Sequence, residues 1–270
     1  MKNKPIGIFD SGLGGLTCLR QLHKLLPNEN IIYFGDTGRV PYGNRSNRTI
    51  TKYANQDVSF LLSKDVKAVI AACGTVSSVV TDLDKSINGF FTGVLKPVAT
   101  TAVKSTKNGI VGVIGTSATI ASKSYEKEIG AINSQVKVIA KDCPLFVPLV
   151  ENGFSAKGNE IARLTVEHYL KDLKESGIDT LILGCTHYPI LRDIIADYLG
   201  DSVTLIDSGA ETAKYCANYL EANGLLNETK TNGKCEFYVS DTVESFSKLA
   251  GVFLGEDIKD NVYHVDIQKY

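Results

Sequence analysis

The sequence predicts an α/β protein made of two similar parallel-sheet domains. Three observations carry that reading. Short Val/Ile/Leu runs alternate with amphipathic stretches; two pairs of segments recur at a spacing of about a hundred residues; and the reactive side chains gather where apolar runs end.

The apolar runs at 5–9, 31–34, 68–72, 109–114, 136–140, 180–183, 203–206 and 235–239 read as strands. Most are continuous rather than alternating, as expected for strands covered on both faces. The stretches 16–26, 48–63, 117–129, 159–176, 211–223 and 243–254 have helical patterning. Ile6-Gly7-Ile8-Phe9-Asp10-Ser11-Gly12 is echoed by Val111-Gly112-Val113-Ile114-Gly115-Thr116-Ser117. Ala68-Val69-Ile70-Ala71-Ala72-Cys73-Gly74-Thr75 is echoed by Thr180-Leu181-Ile182-Leu183-Gly184-Cys185-Thr186. Each half therefore has a first strand ending in small polar residues and a third ending in cysteine with threonine close behind. Crossovers near 95–99 and 207–209 would make residues 1–97 plus 208–270 one domain and 98–207 the other.

Composition narrows the function classes. Of 270 residues, 43% are hydrophobic, ample for a core. The 29 basic and 30 acidic residues nearly cancel, so no nucleic-acid partner is expected. No apolar run approaches the ~20 residues of a membrane helix. The first apolar run stops at Asp10, short of a signal-peptide core of roughly 7–15 residues. The expectation is a cytoplasmic protein that neither enters nor needs a membrane. Its six cysteines, at 18, 73, 143, 185, 216 and 235, show no close spacing and read as free thiols of a reducing compartment.

Ligands of open α/β sheets bind beyond the carboxyl ends of the strands. Asp10-Ser11-Gly12, Gly35-Asp36-Thr37, Cys73-Gly74-Thr75, Gly115-Thr116 and Cys185-Thr186-His187 all follow predicted strands. A thiol between strand and helix meets the unpaired N–H groups of the helix N-terminus, which favour a thiolate and can hold a carboxylate. One such cysteine could be packing; two at matching places in matching halves point to chemistry. Cys18, Cys216 and Cys235 read as packing, whereas Cys143, before Pro144, fits either reading. His187 is a helix cap or a proton donor and acceptor beside Cys185, and the second is favoured. Asp10 is a cap or a carboxylate facing Cys73; Asp36 and Glu151 are weaker supporting candidates. The run Gly12-Leu13-Gly14-Gly15-Leu16-Thr17 lacks the last glycine of a dinucleotide fingerprint, and Cys185 with His187 lacks the second ligand pair of a zinc site. No metal or cofactor is expected.

With these motifs together, the whole chain resembles the glutamate racemases. The resemblance rests on Phe9-Asp10-Ser11-Gly12-Leu13-Gly14-Gly15, Gly35-Asp36, Pro41-Tyr42-Gly43, Ala72-Cys73, Ile114-Gly115-Thr116, Gly184-Cys185-Thr186-His187-Tyr188-Pro189 and Phe237-Tyr238-Val239-Ser240-Asp241. It implies an active site between the two domains, and a pyridoxal-independent enzyme making D-glutamate for peptidoglycan. It implies that Cys73 takes the α-proton of D-glutamate and Cys185 that of L-glutamate, assisted by Asp10 and His187. Ser11, Pro41, Tyr42, Gly43, Thr75, Thr116 and Thr186 would hold the substrate. Where the family usually has Cys-Asn-Thr, this chain has Cys73-Gly74-Thr75, so Gly74 would offer only its backbone N–H. That departure keeps open a related enzyme acting on aspartate, a hydantoin or maleate. A two-lobed amino-acid-binding protein is a rival from another class, though it would need no paired thiols. A homodimer is neither required nor excluded by the sequence.

Overall fold

The structure is a computed structural model that describes residues 1–87, 89–255, 258 and 260–270. In chain order the elements are β1 (Ile6–Asp10), α1 (Leu16–Leu25), β2 (Ile31–Gly35), α2 (Asn47–Ser63), β3 (Ala68–Ala71), α3 (Gly74–Val79), β4 (Phe90–Gly93) and α4 (Leu95–Ser105). Then come β5 (Ile110–Gly115), α5 (Ser117–Ala121), α6 (Ser124–Ile132), β6 (Lys137–Asp142), α7 (Phe146–Glu151), α8 (Glu160–Glu175), β7 (Thr180–Leu183), α9 (Arg192–Leu199) and β8 (Thr204–Asp207). The chain ends with α10 (Ser208–Ala222), β9 (Cys235–Val239), α11 (Val243–Leu254) and β10 (Val262–His264).

Two sheets result, both wholly parallel. The first runs β10-β9-β2-β1-β3-β4 and the second β6-β5-β7-β8. The order β2-β1-β3-β4 is the order β6-β5-β7-β8 with each strand replaced by its counterpart four places on. The repeat read in the sequence is thus a repeat of topology. Ile6 and Ile8 of β1 pack with Leu16, Leu19 and Leu22 of α1, while Phe9 packs on the other face with Ile50, Val58 and Leu61 of α2. That two-sided cover is why these strands carry no polar alternation.

The chain leaves the first sheet through α4 and returns through α10, which pack against each other. Thr101 of α4 donates a hydrogen bond to Glu211 of α10 at 2.8 Å. α10 also lies along α1, fastening the returning segment to the first half.

Several elements differ from expectation. The single helix predicted over 117–129 is two, α5 and α6, because Lys123 takes a left-handed φ of 55°. The edge strands β4 and β10 and the helices α4 and α7 were not foreseen, whereas helices were expected after Cys73 and Cys185, where α3 and α9 lie, without bounds. β10 has only three residues, and α3 and α7 six each, too short to show a periodicity. Among the described residues, no helix is long and apolar enough to cross a membrane.

Candidate active site

Each cysteine of interest stands two residues past the end of an inner strand. Cys73 follows Ala71 of β3, which lies between β1 and β4; Cys185 follows Leu183 of β7, between β5 and β8. The equivalence places both thiols at the carboxyl ends of their sheets, on the walls of one cleft of about 200 Å³. Ser11, Pro41, Tyr42, Gly43, Gly74, Thr75, Thr116, Thr186, His187 and Glu151 line the same cleft. Asp10 and Asp36 do not; they stand fully buried behind its wall.

The first thiol is more deeply insulated than its helix suggested. Cys73 is the N-cap of α3 and donates to Ser11 Oγ at 3.6 Å. Burial, then the charge of Asp10, push this thiol up to about 12. The backbone N–H of Val76 opposes them but does not win. The expectation that the helix terminus would favour a thiolate is therefore corrected: a six-residue helix does not offset loss of water around the sulfur.

Asp10 does not hydrogen-bond Cys73 directly. Its carboxylate accepts from Gly12 N at 2.9 Å and from Thr186 Oγ1 of the other half at 3.4 Å. Burial raises its pKa, and the charge of His187 opposes that rise.

The second thiol has a histidine beside it. Cys185 Sγ lies 4.0 Å from His187 Nδ1, and His187 Nε2 lies 3.0 Å from Glu151 Oε1 at the end of α7. Burial alone would favour the neutral ring. Contact with Cys185 and Glu151 outweighs it and raises the histidine to about 10. Phe253 of α11 closes over the imidazole edge-on, at 5.2 Å between centroids.

The threonines join the two halves. Thr75 and Thr116 share a hydrogen bond of 3.0 Å, and Thr116 also caps α5 by accepting from Thr119 N. The Gly12–Gly15 run serves close packing. A Cβ on Gly14 would stand 2.0 Å from Thr186 Oγ1, and one on Gly15 would stand 2.6 Å from the Asp10 side chain.

A buried network behind the Pro41–Gly43 loop was missed in the sequence apart from Asp36 and Tyr42. Arg39 donates to Asp36 at 2.5 Å, to Asp57 at 3.0 Å and to Gln56 at 2.6 Å. The Tyr42 hydroxyl bridges the two carboxylates, and Ser240 donates to Asp36 at 2.7 Å. Asp57 did leave a signal: it sits among Ile50, Ala54, Val58 and Leu61 on the buried face of α2. Pro144, Val147, Pro148 and Tyr188 also line the cleft without having been anticipated. Cys143 is buried beside it, its carbonyl accepting from the Tyr188 hydroxyl at 2.9 Å. Among the described residues, no three His, Cys, Asp or Glu side chains cluster as metal ligands would.

Known proteins resemble this chain in sequence and in fold. The model of the Asp/Glu/hydantoin racemases matches residues 14–216. The chain belongs to that racemase family. Within the wider set of relatives it is 46% identical to a glutamate racemase of Geobacter metallireducens, covering 98% of this chain and 97% of the relative. It is also 46% identical to one of Thermoanaerobacter pseudethanolicus over the full length of both. Among solved structures, the glutamate racemase of Francisella tularensis in complex with D-glutamate superposes with a TM-score of 0.92 at 39% identity, each chain wholly covered. An aspartate racemase of Picrophilus torridus, at 19% identity and a TM-score of 0.57, shares the fold with this racemase-family chain.

Proposed function

We propose that the chain is a glutamate racemase that inverts the α-carbon with Cys73 and Cys185 as its two acid–base groups, needing no cofactor. The observation that supports the mechanism is the equivalent placement of two thiols, one at the end of an inner strand of each sheet, lining one cleft. The choice of glutamate rests on full-length relatives of that name.

Inversion requires a base on one face of the carbon and an acid on the other. Cys185 removes the α-proton of L-glutamate and the Cys73 thiol delivers its own proton to the opposite face; D-glutamate is handled in reverse. Burial keeps Cys73 protonated, and the His187 imidazolium stands where it stabilises charge on Cys185. Glu151 positions that imidazolium. Asp10 orients Thr186 and lies near enough to Cys73 to strengthen it as a base once it has given up its proton. With no electron sink from a cofactor, the developing carbanion is stabilised by hydrogen-bond donors in a site shielded from water. Ser11, Thr75, Thr116, Thr186 and the Pro41–Gly43 loop hold the substrate. The product serves peptidoglycan synthesis in the cytoplasm, and a homodimer is compatible with this role.

The test is incubation with L-glutamate in deuterated water without added cofactor, following α-deuterium and chirality together, with L-aspartate in parallel. Deuterated D-glutamate is expected. Turnover of aspartate alone would retain the two-thiol mechanism and replace the substrate; no exchange with either would overturn the reading.

A further inference from the structure

Hydrogen-bond accounting behind the Pro41–Gly43 loop leaves one hydrogen to be found. Asp36, Tyr42 and Asp57 are buried together there. The Tyr42 hydroxyl has a single hydrogen, yet its oxygen touches two acids, Asp36 Oδ2 and Asp57 Oδ2, the second at 3.0 Å. Once that hydrogen goes to one acid, the other contact sets oxygen against oxygen, unless the acid brings a hydrogen of its own.

The surroundings say which acid brings it. Asp36 is met by donors on both oxygens: Arg39 Nε on Oδ2 at 2.5 Å and the Ser240 hydroxyl on Oδ1 at 2.7 Å. Asp57 Oδ1 accepts from Arg39 Nη2 at 3.0 Å, whereas its Oδ2 meets Tyr42 alone among the described residues. Charge points the same way. Arg39 balances one carboxylate, so a second ionised one would leave a buried negative charge uncompensated. Burial, then the charge of Asp36, push Asp57 well up, with Asp10 at the end of β1 adding to them; Arg39 and the Tyr42 hydroxyl oppose this and do not prevail.

We propose that Asp57 is a positioning residue that works as a neutral acid, donating its proton to the Tyr42 hydroxyl and so fixing the Pro41–Gly43 loop in the cleft. The hydrogen bonds then run one way: Asp57 to Tyr42, Tyr42 to Asp36, with Arg39 and Ser240 also donating to Asp36. The loop held in this manner reaches the other half of the molecule. A Cβ on Gly43 would stand 3.0 Å from Thr116 Cβ, and Thr116 shares a hydrogen bond with Thr75, two residues past Cys73. Asp57 therefore acts on substrate through the loop, without touching it. This rests on the racemase reading for the identity of the substrate and adds to it what holds one wall of the site.

The experiment compares wild type, Asp57→Leu and Asp57→Asn. An asparagine amide can donate to Tyr42 where the acid did, while its oxygen still accepts from Arg39; leucine can do neither. For Asp57→Leu, KM for glutamate is expected to rise about fivefold with kcat changed less than about twofold, and Asp57→Asn is expected to restore KM to within about twofold of wild type. Infrared difference spectra of wild type against Asp57→Asn, near neutral pH, are expected to show the carbonyl stretch of a neutral carboxylic acid, shifted in deuterated water. An Asp57→Asn enzyme as impaired as Asp57→Leu, an Asp57→Leu enzyme with wild-type KM, or a carboxylate signal in place of the neutral acid overturns the proposal. Should Asp57→Leu fail to fold, Asp57→Asn and the spectrum decide it. An inactive wild type overturns the racemase reading instead, and the spectrum still reports on Asp57, so the two failures are distinct.

Discussion

The carboxylate of Glu151 stands 3.0 Å from His187 Nε2, and the other nitrogen of that ring faces Cys185, 4.0 Å away. The relay ties a helix end to the strand-end thiol and holds the histidine at a pKa of about 10. His187→Asn is expected to lower kcat/KM equally in both directions, because the two enantiomers are equal in free energy. The asymmetry should appear in the primary deuterium isotope effect. It is expected to rise for L-glutamate, whose proton goes to Cys185, and to stay near wild type for D-glutamate. Isotope effects equal for both enantiomers would contradict the assignment.

The same raised pKa makes stability depend on pH. A histidine that binds its proton more tightly when folded contributes fully below its unfolded value of 6.5, and that contribution is lost as pH rises through about 10. Glu151→Gln removes one of the causes. Urea midpoints taken between pH ~6 and ~10 are expected to fall less steeply in Glu151→Gln than in wild type.

Cys73→Ser and Cys185→Ser are each expected to lower racemisation by at least ~10³-fold, since a serine hydroxyl is a far weaker acid than a thiol. Far-ultraviolet circular dichroism should stay unchanged. Full activity in either variant would eliminate the two-base mechanism.

The guanidinium of Arg39 pairs with two fully buried acidic side chains, Asp36 and Asp57. Its removal leaves Asp36 and Asp57 facing each other, and burial together with Asp36 already pushes Asp57 well up. Arg39→Met is expected to cost about 3 kcal/mol in chemical denaturation and to raise KM by freeing the Pro41–Gly43 loop. Arg39→Lys should recover little, because an ammonium cannot reach Asp36, Asp57 and Gln56 together.

Lys67 and Glu29 form a second buried pair at 2.6 Å, far from the cleft, with Lys67 also donating to the carbonyls of Lys2 and Leu225. Lys67→Met is expected to cost about 3 kcal/mol with kcat unchanged, and Glu29→Gln added to it should restore part of the loss. A change in kcat would reveal coupling between this pair and the cleft.

What the sequence disclosed followed from local pattern. An apolar run that stops at Cys73 or Cys185 marks a strand end, and the recurrence of that pattern a domain later marks its counterpart. Asp57 and Arg39 were hidden because their partners lie on a different element, and an acidic residue amid Ile50, Ala54 and Leu61 reads as an interruption until a guanidinium is seen beside it. Glu151 was visible only as an isolated carboxylate. Its meaning comes from α7, too short to announce itself, which brings it to a histidine 36 positions on.

The return of the chain through α10 governs the order in which the molecule can be completed during synthesis. Every strand of the second sheet lies between Ile110 and Asp207, so that half can fold once those residues have left the ribosome. The first half, although it begins the chain, must wait for β9 to pair with β2 and for β10 beyond it. Until then β2 presents an open apolar edge, the kind of surface that recruits a neighbouring chain. The half made first is finished last, and a nascent chain lacking its final segments carries both thiols but an unsealed sheet beneath one of them.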